Sequence, residues 1–428
     1  MASVILKKNR LMLCLFFLVT LTHKNALSDE VTIADQQLKI ADSVRSSNPQ
    51  KFNSIINQLE ENKKYLSEEQ THYLNYLLAY QKSISGKLKG SVQSYKDIIN
   101  SNASNKLKFR ANSSIINTFA ITQNWTEGLF YLSESLKILD SLPNDNTKHT
   151  GLIIYAIFYN LLGQYELGQH YALKARSSSL NARIVCMSEQ LILEAKFKLK
   201  KISDNDKTIN HAIDSCAKAN EMIMSSAITT YLARLHMDNG NYRDAKEILV
   251  NTISIIEATR YAPGIAKYSA LLAEVYFEEN NDIKSAEYAN KTLTKTGDSG
   301  NSKPLISAYL LLYKIHLKKK LYEEALTYYT KYSEANNAHL KGEKAKYLAF
   351  QLAENQAFEQ KSQIKLLNEQ NNALAAEQAL AKTQATNRKL IILLLGLVIL
   401  AFTFIGIRFY RSHKRVKELA EYDPLTGI

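Results

Sequence analysis

Residues 231–250 read YLARLHMDNGNYRDAKEILV, and this stretch decides the fold. Leu232 and Ala233 belong to an apolar stripe at helical spacing, which ends before Gly240. Gly followed by Asn is typical of a turn, and a second helical stripe begins near Ala245. Two antiparallel helices approach closely only where a small side chain faces the partner, so Ala245 predicts a tightly packed helical hairpin.

The same pattern recurs along the chain at nearly constant intervals. We expect the small residue of the second helix at six positions: Ser91, Gly128, Gly168, Ala245, Ala286 and Ala325. Steps of 37, 40, 77, 41 and 39 residues separate them, and the step of 77 is expected to contain one degenerate unit near residues 183–220. With a weak unit near residues 31–62, the sequence predicts an array of about eight hairpins over residues 29–340. One hairpin cannot bury its apolar face alone, so the hairpins must stack.

These residues resemble tetratricopeptide repeats of a looser type, with nearly 40 residues instead of 34. The resemblance implies an all-α, right-handed superhelix whose concave groove binds peptides, proteins or small ligands. The chain of 428 residues contains only 14 Gly and 5 Pro, which argues against a sheet-rich fold. The ligand-binding residues stay unknown at this point. Since no paired-histidine motif and no phosphate-binding loop occurs, we expect no catalytic residue, no metal and no cofactor in this chain.

The N-terminus has the layout of a secretory signal peptide. Basic residues between positions 7 and 10 precede the apolar run Leu11–Leu21, and the small residues at 26–28 (Ala-Leu-Ser) supply a cleavage site. A helix of that length rises about 16 Å, which is too short to cross a bilayer. We therefore predict a signal peptide over residues 1–28. A short core helix and an uncleaved anchor are the alternatives.

Residues 390–407 (LIILLLGLVILAFTFIGI) form an apolar run of 18 residues without a charge. As a helix this run rises about 27 Å, enough to span a membrane. Basic residues are concentrated on its C-terminal side: Arg408, Arg411, Lys414, Arg415 and Lys417. This bias predicts a single-pass protein of the bacterial inner membrane with a cytoplasmic C-terminus and residues 29–389 in the periplasm. The net charge of +13 would suggest nucleic acid for a cytosolic protein, but the periplasmic location excludes that partner.

Cys186 and Cys216 are the two cysteines that follow the predicted signal peptide. They are symmetric about residue 201, in the expected turn of the degenerate unit, so they lie at the same level of an antiparallel helix pair. In an oxidising compartment they can form a disulfide. Two separate buried thiols are the alternative, because this argument leaves the rotation of each helix open.

Residues 341–389 predict a long helix, since they are rich in Ala, Glu, Gln, Leu and Lys. A partial heptad runs through Ile364, Leu367, Asn371, Leu374, Gln378 and Ala381. The polar Asn and Gln in this seam weaken a dimer but can fix its register, and we expect a parallel homodimer. A single long helix packed on the last repeat is the alternative.

Residues 408–428 are predicted to be a cytoplasmic linker, in which a basic helix over 409–421 is followed by the string D-x-L-T-G-I. The last residues, 420–428, resemble the opening motif of the diguanylate cyclase (GGDEF) domain. The resemblance implies that Asp423, Leu425, Thr426 and Gly427 join a signalling helix to that output domain without taking part in chemistry. The motif is expected to open a domain truncated here, by an interrupted gene or because the sequence is a fragment. The missing domain would need Mg²⁺ and GTP, and the chain as given should be inactive.

The sequence thus predicts a sensor that binds a periplasmic protein, peptide or small molecule and regulates synthesis of cyclic di-GMP through a dimeric output domain. A membrane-anchored tetratricopeptide scaffold without output is the first alternative. A sensor histidine kinase is the second, and it is disfavoured because His413 lies too close to the membrane and has no suitable acidic neighbour.

Overall fold

The computed structural model describes residues 33–45, 48–296 and 302–421, and all regular secondary structure in these ranges is helical. Residues 33–44 form α1, and a short 3₁₀ helix covers Lys63–Tyr65. The other helices are α2 (Pro49–Glu61), α3 (Glu68–Ile84), α4 (Leu88–Ile99), α5 (Asn105–Ile121), α6 (Trp125–Leu139), α7 (Asn146–Leu162), α8 (Tyr165–Ser177), α9 (Ala182–Lys198), α10 (Lys207–Lys218), α11 (Met222–Asp238), α12 (Tyr242–Ala258), α13 (Ala262–Glu278), α14 (Asp282–Thr296), α15 (Lys303–Lys318) and α16 (Tyr322–Glu421). The predicted signal peptide and the motif at 423–427 lie outside the described residues.

Successive helices pair into eight hairpins, and the hairpins stack in chain order. Each odd-numbered helix from α3 to α13 contacts the next odd-numbered helix, while each even-numbered helix from α4 to α14 packs between its two odd-numbered neighbours. The odd-numbered helices therefore form an inner layer that lines the concave side. The predicted all-α repeat fold is confirmed. The weak unit is the pair α1–α2, and the degenerate unit is the pair α9–α10.

The small residues of the even-numbered helices lie where the helices approach most closely. A Cβ added to Gly128 would lie 2.4 Å from Cε2 of Phe158, and one added to Gly168 would lie 1.9 Å from Oδ1 of Asn160. A larger side chain would separate the two helices at these points. The contact recurs at the fourth residue of α4, α6, α8, α12 and α16, as the sequence predicted.

In α14 the predicted small residue was wrong by one position. The residue at the contact is Ser285, which is fully buried and whose hydroxyl donates a hydrogen bond of 2.8 Å to the carbonyl of Ala273. Ala286 lies one position further and is half-buried. Both residues are small, so size alone did not fix the rotation of this helix. With Ser285 in place, the last three contacts are spaced 40 residues apart.

In the seven hairpins from α3–α4 to α15–α16, the turn contains one residue with left-handed backbone geometry, at Gly86, Gln123, Gly163, Lys200, Gly240, Asn280 and Lys320. The steps between these residues are 37, 40, 37, 40, 40 and 40. In the α7–α8 turn, the N–H of Gly163 donates to the carbonyl of Asn160 (3.1 Å), and the N–H of Gln164 donates to that of Tyr159 (2.8 Å). This pair of bonds satisfies two carbonyls that the helix end leaves free.

The degenerate unit has a covalent link instead of a small-residue contact. The fourth residue of α10 is Asn210, which is exposed. Cys186 in α9 and Cys216 in α10 are both fully buried and joined in the structure, with their Cα atoms 4.8 Å apart.

The chain divides into two compact units, Met1–Ala353 and Glu354–Ile428. The predicted array ends at residue 340, but the first unit continues to Ala353. Its last part packs on the array, since Ala349 is buried against the core of α5 to α9. In the second unit, the described side chains of α16 are exposed. Helix α16 contains an 18-residue window with a mean hydropathy of 3.1, so by length and composition it can cross a membrane.

Replacement of Gly128 by Ala should destabilise the first unit by about 1–3 kcal/mol, because the new methyl group collides with the Phe158 ring. Gly90 is the matched control, since a Cβ there meets only Cδ of Lys82 at 4.0 Å. Gly90→Ala should stabilise the protein by about 0.5–1 kcal/mol through helix propensity. Chemical denaturation of both variants measures the two effects, and equal shifts would contradict the close contact.

Free-thiol labelling of the denatured, unreduced protein without its first 28 residues should find no reactive thiol if Cys186 and Cys216 are bridged. Reduction should then lower the free energy of unfolding by about 3–4 kcal/mol, since the bond closes a loop of 30 residues. Two reactive thiols would leave the alternative of separate buried cysteines.

Candidate functional site: the groove of the inner helices

A continuous set of polar contacts crosses the inner layer from α7 to α11. Nδ2 of Asn160 donates to Oε2 of Glu194 (3.2 Å) and to the carbonyl of Leu191 (3.1 Å), which links α7 to α9. Nε2 of Gln190 donates to the hydroxyl of Tyr231 (3.0 Å), which links α9 to α11. These contacts satisfy polar groups that face the groove.

The contacts continue from α11 to α15 through one carboxylate. Oε2 of Glu274 lies 2.7 Å from Nη1 of Arg234, and Oε1 of Glu274 accepts a hydrogen bond of 2.6 Å from the hydroxyl of Ser307. Glu274 thus connects three inner helices. It borders a cavity of about 540 Å³ that Tyr332 and His339 of α16 close on the other side.

Lys267 of α13 lies deep in the groove and retains only part of its solvent contact. Burial lowers the pKa of Lys267 to about 8, although Glu194 opposes this shift. Its Nζ lies 4.3 Å from the centroid of the Tyr231 ring, and among the described residues no carboxylate lies within ion-pair distance of it. A desolvated ammonium without an ion pair has hydrogen-bonding capacity left for a ligand.

The segment of α16 from 332 to 353, named here the groove segment, packs against the inner layer with one face. Most of its half-buried and buried residues follow one another at helical spacing along one face, with Ser333 and Gln351 beside them: Tyr332, Ala335, Asn336, His339, Gly342, Lys346, Ala349, Phe350 and Ala353. Nζ of Lys346 lies 5.4 Å from the Trp125 ring centroid, and Phe350 packs on the hydrophobic core that contains Trp125. The groove segment therefore extends from α15 to the first turn of α6.

Charges of both signs accompany the groove segment. Oε1 of Glu343 accepts a hydrogen bond of 2.7 Å from Nζ of Lys346. Burial alone would raise the pKa of Glu343, but Lys346, His339 and Lys303 together lower it. Because Lys303 belongs to α15, Glu343 is held by the array as well as by its own helix.

The sequence alone predicted no particular ligand-binding residue, although it contains a pattern that indicates where the groove lies. On three inner helices a charged residue comes directly after a pair of apolar residues such as Leu232-Ala233. These charged residues are Arg234, Glu274 and Lys314; they are spaced 40 residues apart, and all three border the cavity. A charged residue that recurs at the repeat period on an inner helix points into the groove. No group of three or more His, Cys, Asp or Glu residues suited to a metal ion occurs in the described part of the chain.

No protein-family model matches the chain, and no curated protein matches its sequence. Solved structures share its fold. The apo form of the quorum sensor NprR from B. thuringiensis has a TM-score of 0.52 at 14% identity, over 77% of this chain and 98% of that one. A signal transduction ATPase with a tetratricopeptide repeat sensor from Pyrococcus horikoshii has a TM-score of 0.54 at 11% identity, over 76% and 50%. NprR has also been solved in complex with its cognate peptide NprX, with a TM-score of 0.46 at 13% identity, over 74% and 82%. The first two likenesses establish a tetratricopeptide-like superhelix.

Lys267→Met should be more stable than the parent protein at pH 7. The folded-state pKa of Lys267, about 8, lies below the unfolded value of about 10.4, so folding is penalised while the ammonium is protonated. The penalty disappears as the pH rises from 8 towards 10, and the difference between the two proteins should shrink over this range. Lys174→Met, at an exposed position of α8, is the control. Denaturation curves at pH 7 and pH 9.5 measure this, and a difference independent of pH would contradict it.

Proposed function

We propose that this protein is a membrane-anchored sensor whose inner groove binds a peptide or an extended protein segment. The observation that carries the proposal is the position of α16. Its groove segment lines the ligand cavity, and the same helix contains the apolar residues 390–407. A ligand that contacts the groove segment therefore acts directly on the helix that forms the anchor.

The chemistry of the groove favours a peptide. An extended backbone requires a hydrogen-bond partner for each N–H and C=O group, and the groove supplies amides, hydroxyls and charges of both signs along several helices. Arg234, Lys267 and Lys314 offer charged donor groups on three successive inner helices, α11, α13 and α15. NprR, which shares the fold, is a protein with a cognate peptide.

Two arrangements of α16 are needed for a signal. A bound peptide must either add contacts to the groove segment or replace some of the contacts that hold the groove segment on the inner helices. Either change shifts the equilibrium between the two arrangements. Tyr332 and His339 at the cavity are the first groups that such a ligand would meet. The proposal thus names the element that moves and the contacts that hold it.

The location and output belong to the same proposal. The signal peptide over residues 1–28 and the basic residues after position 407 support a periplasmic array and a cytoplasmic C-terminus. The exposed seam residues such as Ile364 and Leu367 support a homodimer. The motif that begins at Asp423 supports a diguanylate cyclase as the output, which would bring its own need for Mg²⁺ and GTP. Residues 1–428 by themselves are not expected to have cyclase activity.

The scaffold alternative has the same groove and the same anchor, and it fits the fold equally well. It differs in one respect, because a scaffold needs no coupling between the groove and α16. An experiment that reads the state of the C-terminal side therefore separates the two functions.

Fusion of a complete cyclase domain in register after Gly427 should give a membrane-bound enzyme whose output depends on the groove. Glu274→Ala removes the contacts to Arg234 and Ser307 and should change cyclic di-GMP production at least about threefold, as expected for a loss of about 1 kcal/mol in a two-state equilibrium. Glu257→Ala is the matched control, because it removes an ion pair with Lys291 between the outer helices α12 and α14. Cyclic di-GMP measured in cells is the readout.

Three further arms make the test specific. Deletion of the repeats or charged replacements of Ile364 and Leu367 should also change the output. A reporter that is active only in the periplasm should be silent after Gly427. If the fusion is active but its output is unchanged by Glu274→Ala, by the deletion and by the charged replacements, the scaffold function is supported instead. The 428-residue chain alone should make no cyclic di-GMP.

A further inference from the structure

A second polar pocket lies in the inner layer near the N-terminal end of the array. It has a volume of about 520 Å³ and is bordered by residues of α1, α3, α5 and α7. We name it the arginine pocket. Five polar and charged side chains form one of its walls: Asp42, Arg45, Tyr73, Tyr76 and Arg110. This pocket shares no lining residue with the cavity at Glu274.

The arginine pocket contains two guanidinium groups and one carboxylate. Nη2 of Arg110 lies 2.7 and 2.8 Å from the two carboxylate oxygens of Asp42. Nη1 of Arg45 donates to the hydroxyl of Tyr76 (3.0 Å) and lies 3.4 Å from Oδ1 of Asp42. Because Tyr73 also donates to Asp42 (2.7 Å), this carboxylate is shared among three donors.

Tyrosine rings hold both guanidinium groups in place. Cζ of Arg110 lies 4.4 Å from the Tyr76 centroid and 5.3 Å from the Tyr73 centroid, and Cζ of Arg45 lies 4.6 Å from the Tyr80 centroid. A guanidinium stacked on a ring keeps its N–H groups at the edge, free for hydrogen bonds in the plane. Ring stacking thus fixes two planar donor groups at one wall of the pocket.

The residues that line the pocket, together with Asp145, leave a surplus of one positive charge, because four cations (Lys39, Arg45, Lys106 and Arg110) accompany three carboxylates (Asp42, Glu69 and Asp145). Lys106, on the pocket rim, is paired with Asp145 at 2.7 Å. Glu69, also on the rim, accepts hydrogen bonds from the side chain and the backbone N–H of Ser104. Neither group neutralises Arg45. The side chains of Arg45 and Arg110 are 27% and 18% exposed, so a ligand can reach them while most of their surface is desolvated.

We propose that the arginine pocket binds a small organic anion whose carboxylate or phosphate group pairs with Arg45 and Arg110 beside Asp42. Planar, bidentate recognition of these anions is the task for which guanidinium groups are suited. The pocket volume lies in the range of small-molecule sites. The hydroxyls of Ser113, Thr147 and Thr150 and the apolar Ile154 also line the pocket and can accommodate the remainder of an organic molecule.

Isothermal titration calorimetry on the full chain in nanodiscs tests the proposal with three probes at constant ionic strength: benzoate, phenyl phosphate and the neutral benzamide. At least one of the two anions should bind and raise the unfolding temperature, while benzamide should do neither. The tighter of the two anions identifies the group, carboxylate or phosphate. Binding of none of the probes, or of benzamide as well as benzoate, would overturn the proposal.

Variants separate a binding site from an ion pair that only stabilises the fold. Arg45→Gln should weaken anion binding by about tenfold or more, since a charge-assisted contact is lost. Asp42→Asn should tighten it by about fivefold or more, because the competing carboxylate is neutralised. Arg183→Gln, at an exposed ion pair with Glu221, is the control and should leave binding unchanged.

If Asp42→Asn does not fold, as judged by circular dichroism, anion binding by Arg45→Lys is measured instead. This replacement keeps the charge but removes the planar donor edge, and it should weaken binding, whereas Arg183→Lys should not. Weaker binding in folded Asp42→Asn, or equal effects of the Arg45 and Arg183 variants, would overturn the proposal.

Discussion

The close approach of the outer helices to the inner helices beside them is the contact on which the rest of this structure depends. It occurs at the fourth residue of the outer helix, where Gly128 and Gly168 leave no room for a methyl group. This contact lets the outer helices fit between successive inner helices, so that the inner ones touch each other and form a continuous layer. The groove, its polar contacts and the path of α16 all follow from that layer.

Polar groups in the groove are held mainly by one another, and this gives the groove its character. Glu274 has two partners, Arg234 and Ser307, so its charge is compensated. Lys267 faces Tyr231 and has no ion pair in the described residues, which leaves it desolvated at the centre of the groove. A network that is satisfied at one end and incomplete at the other is rigid enough to be specific and still has donors for a ligand.

The sequence was sufficient for the hairpins because small residues, aromatic residues and turn residues recur with a period that only stacked helix pairs produce. In α14 the predicted contact residue was wrong by one position, because Ser285 and Ala286 are both small. The predicted array ended before Ala349, because exposed polar residues surround the half-buried face of the groove segment in the sequence. The groove residues were missed for a different reason. Their function depends on neighbours one or more repeats away. Asp42 and Arg110 are 68 residues apart, and only the superhelix brings them together.

The covalent link between α9 and α10 has a consequence for cooperativity. In a linear array each unit is stabilised only by its neighbours, so the weakest unit decides whether the array unfolds as one body or in parts. The α9–α10 unit lies in the middle of the array and has Asn210 where the outer helices α4, α6, α8, α12, α14 and α16 have a small residue. Joining Cys186 to Cys216 supports the array at this unit. The coupling between the units on either side of this hairpin is therefore expected to depend on the redox state of the two cysteines.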